Sequence, residues 1–363
     1  MKFKAEKTIL LNGIQKVQNI ITTKATLPIL SNILLETQQG TLRLTATDLD
    51  IGITCVIPVE IMEPGAVTVP AKKFGEIIRE LPQDNVIIST KKNNLVHIET
   101  EACQFKIMGL SREDFPALPE FKEGEAVQIE QSKLKEILNL TTFAVSFDEA
   151  RYVLNGILFN IGKNKLNLVA TDGKRLAFAE QKIKQEVDKK ISVIVPIKTI
   201  QELNRNLQEE GELSLIIGNN QALFDLKEVV IISRLIEGEF PDYQQVIPPV
   251  AEHKITVARE NLLLAVKRAA LLSTPDYQAV KLELFKNKLV ISKTTPDIGE
   301  SYEELAVEYT GKEMVIGFNP GYLVDALKNI PDQEVGFEVS DSEKPAVIRR
   351  EGYIYIVLPM RLG

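Results

Sequence analysis

Pro70-Ala71-Lys72-Lys73-Phe74-Gly75-Glu76-Ile77-Ile78-Arg79-Glu80-Leu81 decides the fold, because its pattern occurs three times. Phe74, Ile77, Ile78 and Leu81 fall at i, i+3, i+4 and i+7, the apolar stripe of an amphipathic helix, and Pro70 suits its first turn. A shift of 126 residues finds Pro196, Ile200, Leu203 and Leu207, with Asn204 at the remaining apolar place. A further 123 finds Leu323, Ala326, Leu327 and Ile330, and here Asn319, a good N-cap, replaces the proline and precedes Pro320.

Other landmarks keep the same period. Phe3 to Leu10 aligns without gaps on Val127 to Leu134 and on Ile255 to Leu262, each a short extended piece that enters a helix. Asn32-Ile33-Leu34-Leu35 through Thr47-Asp48 resembles Asn155-Gly156-Ile157-Leu158 through Thr171-Asp172, with one residue inserted. Between the helices, Thr41 to Ala46, Lys165 to Ala170 and Lys288 to Ser292 alternate as half-buried strands do, and Gly40 and Gly162 mark expected hairpin turns. Each copy reads as strand, helix, strands, second helix, strands. The expected fold class is therefore α+β: three similar domains by internal triplication, each an antiparallel sheet with two helices. Polar stretches place the boundaries at residues 1–124, 125–251 and 252–363. A repeat near 124 residues far exceeds the 20–45 residues of a solenoid unit, so each copy can fold alone. Duplication without geometric consequence stays open at this point.

Composition narrows the class. Of 363 residues 44% are hydrophobic and 26% charged, as in soluble globular proteins, and the length suits two or three domains. The charged start Met1-Lys2-Phe3-Lys4-Ala5-Glu6 lacks an apolar leader core, and no run is long enough to span a bilayer, so a cytoplasmic protein without membrane contact is expected. Two cysteines and two histidines exclude a disulfide framework, a four-cysteine zinc site and a histidine-rich metal site, so neither metal nor cofactor is expected.

Catalytic motifs fail in turn. The best approach to a P-loop, Gly156 to Gly162-Lys163-Asn164, has five residues between its glycines and ends in Asn. There is no G-x-S-x-G and no H-E-x-x-H. Thr171-Asp172-Gly173 repeats in part at Thr47-Asp48 and reads as a turn that ends a strand. His97 lies in an alternating strand, facing solvent or a strand neighbour, and Cys55 and Cys103 lie in apolar strands as small hydrophobes. A hydrolase with paired carboxylates between domains stays open, since such pairs are invisible in sequence.

Charge is unevenly placed. The chain carries −7, yet six twelve-residue helix windows sum to +6, leaving −13 for the rest. Basic helices gathered on one face would attract a polyanion through phosphate contacts that carry no sequence information. Lysines kept for solubility give the same count, so both readings stand.

Together these residues resemble the bacterial DNA polymerase III beta subunits, the sliding-clamp family. The likeness runs in order through Met1-Lys2-Phe3, Thr26-Leu27-Pro28-Ile29-Leu30-Ser31-Asn32, Thr47-Asp48-Leu49-Asp50 and Val69 to Phe74. It continues through Arg151-Tyr152-Val153-Leu154-Asn155-Gly156, Thr171 to Leu176, Phe240-Pro241-Asp242-Tyr243 and Leu358-Pro359-Met360-Arg361-Leu362. The resemblance implies a non-catalytic processivity factor: a head-to-tail homodimer whose six domains form a ring, with helices lining a hole around double-stranded DNA. It implies as partners the DNA polymerase III alpha subunit, a clamp loader, and other polymerases and mismatch-repair or ligase-type proteins that carry clamp-binding peptides. A triplicated scaffold that binds proteins without encircling DNA is the competing reading.

The resemblance also assigns residues. Arg151, Leu154, Thr171, Gly173, Arg175, Leu176, Pro241, Val246, Ile356, Leu358, Pro359 and Met360 match a peptide groove between the second and third domains, with the two arginines as donors to a peptide carbonyl or carboxylate. Lys174 stands where histidine is frequent and Leu358 where methionine is, changes that could alter peptide preference. Lys24, Lys73 and Lys198 match DNA-facing positions, while Lys16, Arg79, Lys133, Arg205, Lys267 and Arg268 follow from helix membership. At the dimer seam Phe105 and Ile107 would meet Leu271 and Leu272, near Glu300, Glu303 and Glu304. Ala102 and Gln104 stand where the family can have arginine, which removes part of the usual charge pairing there.

Overall fold

The computed structural model describes residues 1–21, 27–119, 126–251 and 254–362, excluding the side chains of 185–189. Lys24, His253 and the polar stretch 122–125 lie outside the described residues. The chain runs through one succession three times: a strand, a helix, strands, a second helix, then strands. The helices are α1 (Lys7–Gln18), α2 (Ala71–Glu80), α3 (Gln131–Asn139), α4 (Ile197–Asn206), α5 (Arg259–Ala270) and α6 (Pro320–Asn329).

Each helix forms because its apolar residues recur on one side. In α2 the buried residues are Ala71, Phe74, Gly75 and Ile78, and Leu81 closes the stripe just past the last turn. In α6, Leu323, Ala326 and Leu327 are buried, and Asn319 caps the start by accepting a 2.9 Å bond from the Gly321 N–H. The α4 stripe differs: beside Ile200 and Leu203 it buries Glu202 and Asn206, polar groups that need partners.

Two compact units result, residues 1–132 with 198–235 and residues 133–197 with 236–363. The first holds a five-stranded and an eight-stranded sheet, the second a six-stranded and a four-stranded sheet, antiparallel at every pairing between these strands. In the first unit the eight-stranded sheet crosses from one repeat to the next, because Val229–Arg234 pairs with Ile51–Pro58, Ile231 opposite Ile53. In the second unit Tyr353–Val357 pairs with the start of Arg175–Pro196, Tyr355 opposite Ala177. Both in-chain junctions follow one rule: the last strand of a repeat pairs with the strand that leaves the central hairpin turn of the repeat before it, a turn that spans 48–50, 172–174 and 296–298 in the three repeats. Two strands of that kind are left over. Gln104–Met108, the last strand of the first repeat, is an edge of the five-stranded sheet; Gly299–Ala306 is an edge of the four-stranded one.

Gly40 sits in the expected tight turn, with φ 79° after Gln39 at 49°. At Gly162 the strand Gly156–Thr171 is continuous, and what breaks is its register, on both sides of Lys163 at φ 52°. His97 is buried rather than solvent-facing, and Cys103 is half-buried outside any strand, near the Thr100 hydroxyl at 3.3 Å.

Candidate functional site

The second unit builds a tightly bonded surface around a turn. Gly156–Thr171 and Arg175–Pro196 are joined by Asp172-Gly173-Lys174. The Thr171 hydroxyl donates to the Arg175 carbonyl at 2.6 Å and accepts from the Gly173 N–H at 3.1 Å. Asp172 Oδ1 accepts from the N–H groups of Lys174 (2.9 Å) and Arg175 (3.0 Å). The turn requires φ 86° at Gly173, and a Cβ there would also lie 2.7 Å from an Arg151 guanidinium nitrogen. Arg151 leans over the turn from the loop Glu149–Leu154, donating to the Asp172 carbonyl at 3.3 Å, and remains exposed.

Arg175 behaves differently from the expected peptide donor. Its side chain is 9% exposed and held on two sides, Nε to Asp172 at 3.0 Å and a terminal nitrogen to Asp325 at 2.7 Å. The guanidinium also stacks 4.4 Å above the Tyr322 ring and 5.6 Å from that of Phe143. Burial works against its charge, but the Asp325 hydrogen bond and the nearby Asp172 carry its pKa upward. With these donors occupied, Arg175 fixes the floor of the site, and Arg151, exposed and held more loosely by the Asp172 carbonyl at 3.3 Å and Asp148 at 3.6 Å, is the arginine a ligand can reach.

Beside this floor runs an apolar layer. Leu176 and Ile356, opposite one another across paired strands, join Leu158, Val169, Ile194, Tyr243 and Val347 in one buried cluster. Leu154 is buried too, whereas Pro241, Val246 and Leu358 are exposed and Pro359 and Met360 half-buried. The C-terminal segment is pinned by its backbone: the Leu358 N–H donates to the Lys174 carbonyl at 2.9 Å and the Met360 N–H to the Gly317 carbonyl at 2.8 Å. Lys174 and Leu358, the two departures from the family pattern, are thus hydrogen-bonded neighbours. All twelve groove residues lie in the second unit. Asp325 and Tyr322 escaped the sequence reading, since their link to Arg175 spans 150 residues in the case of Asp325.

Most candidate DNA-facing cations carry a carboxylate. Lys16 pairs with Glu228 at 2.9 Å, Lys73 with Glu76 at 2.8 Å and Lys133 with Glu136 at 3.8 Å. Arg205 pairs with the buried Glu202 at 2.5 Å; burial raises the Glu202 pKa and Arg205 opposes that shift. Lys198 is engaged by Asp48 and by the Ile20 carbonyl. Among the described residues, Arg79 and Lys267 have no salt bridge and are exposed. Arg268 grips Glu303 with two bonds of 2.9 and 2.5 Å. Of the expected seam residues, Phe105 is 39% and Leu271 81% exposed, Ile107 and Leu272 are half-buried, and Glu304 is bonded by Lys288 at 3.2 Å and by the Tyr302 hydroxyl. Among the described residues no cluster of three His, Cys, Asp or Glu side chains could hold a metal ion, and no helix is long and apolar enough to cross a membrane.

Comparison with known proteins identifies the family. The DNA polymerase III beta subunit matches in all three of its parts: N-terminal domain over residues 1–119, central domain over 128–242 and C-terminal domain over 244–361. The beta sliding clamp of Escherichia coli K12 is 35% identical over the whole of both chains. The chain belongs to the DNA polymerase III beta subunit family. Sliding clamps are non-catalytic processivity subunits, and this chain is one. The beta sliding clamp of Chlamydia pneumoniae is 32% identical over 100% of this chain and 99% of its own. Among solved clamps, that of Bacillus subtilis superposes with TM-score 0.95 at 31% identity over 99% of each chain. A clamp from Pseudomonas aeruginosa bound to griselimycin gives TM-score 0.95 at 34% identity over all of both chains.

Proposed function

We propose that two copies of this clamp close head to tail into a ring around double-stranded DNA. The modules would be residues 1–124, 125–251 and 252–363, with the six helices of each chain toward the hole. The observation that carries this is the pair of leftover strands. Both in-chain junctions are made by the last strand of one repeat on the strand that leaves the central hairpin turn of the repeat before it. Gln104–Met108 and Gly299–Ala306 are left without that partner, and a second copy supplies it at each end. A head-to-tail contact of this kind closes when its rotation does, and closure removes two exposed sheet edges.

The ring holds DNA by topology. The observed helices sum to +7, but six of the eight described cations assigned to DNA are paired with carboxylates, leaving Arg79 and Lys267 bare. Counted over the described residues, four bare assigned cations in a dimer contribute roughly −4 to the salt slope in log affinity, weak enough for sliding.

The Arg151–Gly173–Leu358 surface over the Leu176–Ile356 floor is the docking groove for linear peptides. It would serve the polymerase III alpha subunit, the clamp loader, and other polymerases and mismatch-repair or ligase-type proteins in the cytoplasm. The griselimycin-bound relative supports ligand capture by clamps of this family. Loading the protein onto nicked circular DNA with a clamp loader, isolating the complex in high salt and linearising half tests the ring. Retention on circles with release from linear DNA is expected, since electrostatic binding does not distinguish them. Equal loss from both would return weight to a scaffold that never encircles DNA.

A further inference from the structure

The ladder registers fix more than which edges meet. The first strand of each repeat pairs in the same way with the strand after its second helix: Phe3 with Ile88, Val127 with Leu215, Ile255 with Phe337. The next rungs bring Ile98, Phe224 and Ile348, and the rungs after those bring Phe105, Ile231 and Tyr355. These last three residues are structural equivalents. On the receiving side, the residues before Thr47, Thr171 and Thr294 are Ala46, Ala170 and Lys293, and they face Ile53, Ala177 and Ser301. Ile231 meets Ile53 and Tyr355 meets Ala177.

We infer that Phe105 of one copy stands opposite Ser301 of the next, and that Arg268 is a seam residue whose task is to neutralise Glu303 as the seam buries it, rather than a contact to DNA. This rests on the head-to-tail reading above. The antiparallel register then sets Cys103 opposite Glu303, Ile107 opposite Gly299, Gln104 opposite Tyr302 and Lys106 opposite Glu300.

The chemistry agrees with that register. Along Gly299–Ala306, Ser301, Glu303 and Leu305 are half-buried on the side packed against α5, while Glu300, Tyr302 and Glu304 are exposed. Phe105 therefore arrives on the α5 side, where Leu271 and Leu272 wait. Arg268, Leu271 and Leu272 fall at i, i+3 and i+4, one face at the C-terminal end of α5, where a cation also suits the helix dipole. Glu303 shares that side with Phe105, so the incoming aromatic strips water from it. A carboxylate losing water needs a partner. The edge Gln104–Met108 brings no cation to that side, because its one basic residue, Lys106, alternates to the other and meets Glu300. Arg268 of the same chain already holds Glu303 with two bonds, at 2.9 and 2.5 Å.

The dissociation constant of the full-length dimer, from sedimentation with fluorescent label, reads the charge claim. Arg268→Ala is expected to raise it about 30-fold or more, because one partner of a buried pair is left alone. Arg268→Met with Glu303→Leu is expected to return it to within about threefold of the parent, since an apolar pair replaces the ionic one. An unchanged constant in Arg268→Ala, or a double variant as weak as the single, overturns the role of Arg268. Oxidation of Gln104→Cys/Tyr302→Cys is expected to give covalent dimers, and Gln104→Cys/Glu304→Cys, two residues out of register, is expected to give few. The reverse yield overturns the register. Phe105→Ala separates this from the reading beneath it: a dimer untouched by that change would mean that copies do not meet at these strands at all.

Discussion

The same turn occurs twice, and its two settings differ. Thr47-Asp48-Leu49-Asp50 closes a hairpin in the first unit as Thr171-Asp172-Gly173-Lys174 does in the second. The hydrogen bonds repeat: Thr47 Oγ1 donates to the Ile51 carbonyl at 3.0 Å and accepts from the Leu49 N–H at 3.0 Å, and Asp48 Oδ1 takes the N–H groups of Asp50 (3.0 Å) and Ile51 (2.8 Å). Even the strained torsion recurs, with Leu49 at φ 82° and Gly173 at φ 86°. What changes is the use of the free carboxylate oxygen and the third side chain. Asp48 Oδ2 holds Lys198, a partly exposed cation. Asp172 Oδ2 holds Arg175, a buried one that also binds Asp325. The first turn carries Leu49 where the second has Gly173, whose missing side chain leaves room for the Arg151 guanidinium. One backbone solution thus latches a partly exposed lysine in one place and anchors a buried arginine in the other.

The largest difference between the copies should come from the aspartates. Asp172→Ala removes two main-chain bonds and one of two carboxylates from a buried guanidinium, and about 3 kcal/mol of stability should go with them. Asp48→Ala removes the same main-chain bonds but frees a lysine that can reach water, so about 1–2 kcal/mol is expected. Urea denaturation of both variants checks the order. Equal losses would mean that burial of Arg175 adds nothing to its pairing.

Gly173→Ala comes next. The backbone cost of an L-residue in the left-handed region is about 1 kcal/mol. The new Cβ would also push the Arg151 guanidinium, 2.7 Å away, off the Asp172 carbonyl. Affinity for a fluorescent polymerase-derived peptide should fall about tenfold while the dimer remains. Undiminished affinity would show that Arg151 does not need its place over the turn.

The equivalence of these turns was legible from Thr47-Asp48 and Thr171-Asp172 at one period, and the triplicated fold from the helix stripes. The split in their roles was not. Local sequence carries i,i+3 pairs, so Lys73–Glu76, Lys133–Glu136 and Glu202–Arg205 could have been read from helical spacing. Lys16–Glu228 and Arg175–Asp325 join residues 212 and 150 positions apart, and only the folded chain brings them together. For the same reason the carboxylates that hold Arg175 and Arg268, 150 and 35 positions away, do not show in the sequence around either arginine. A guanidinium looks alike whether its partner is a ligand or a carboxylate supplied by a distant strand.

The smallest effect expected is also the most diagnostic of the repeat. Leu49→Gly gives the first turn the residue that the second one has. Relief of the left-handed torsion favours the variant by about 1 kcal/mol, and the added freedom of glycine in the unfolded chain takes back part of it. Leu49 is 49% exposed, so the side chain gives up about half of its apolar contact. That buried half is worth about 1 kcal/mol, so a net loss near 0.5 kcal/mol should lower the melting temperature by about one degree. A rise would mean that leucine is kept here at the expense of folding, for what its exposed half can touch. A fall would mean that its buried half outweighs the strain, so the first turn is held by packing where the second is held by charge.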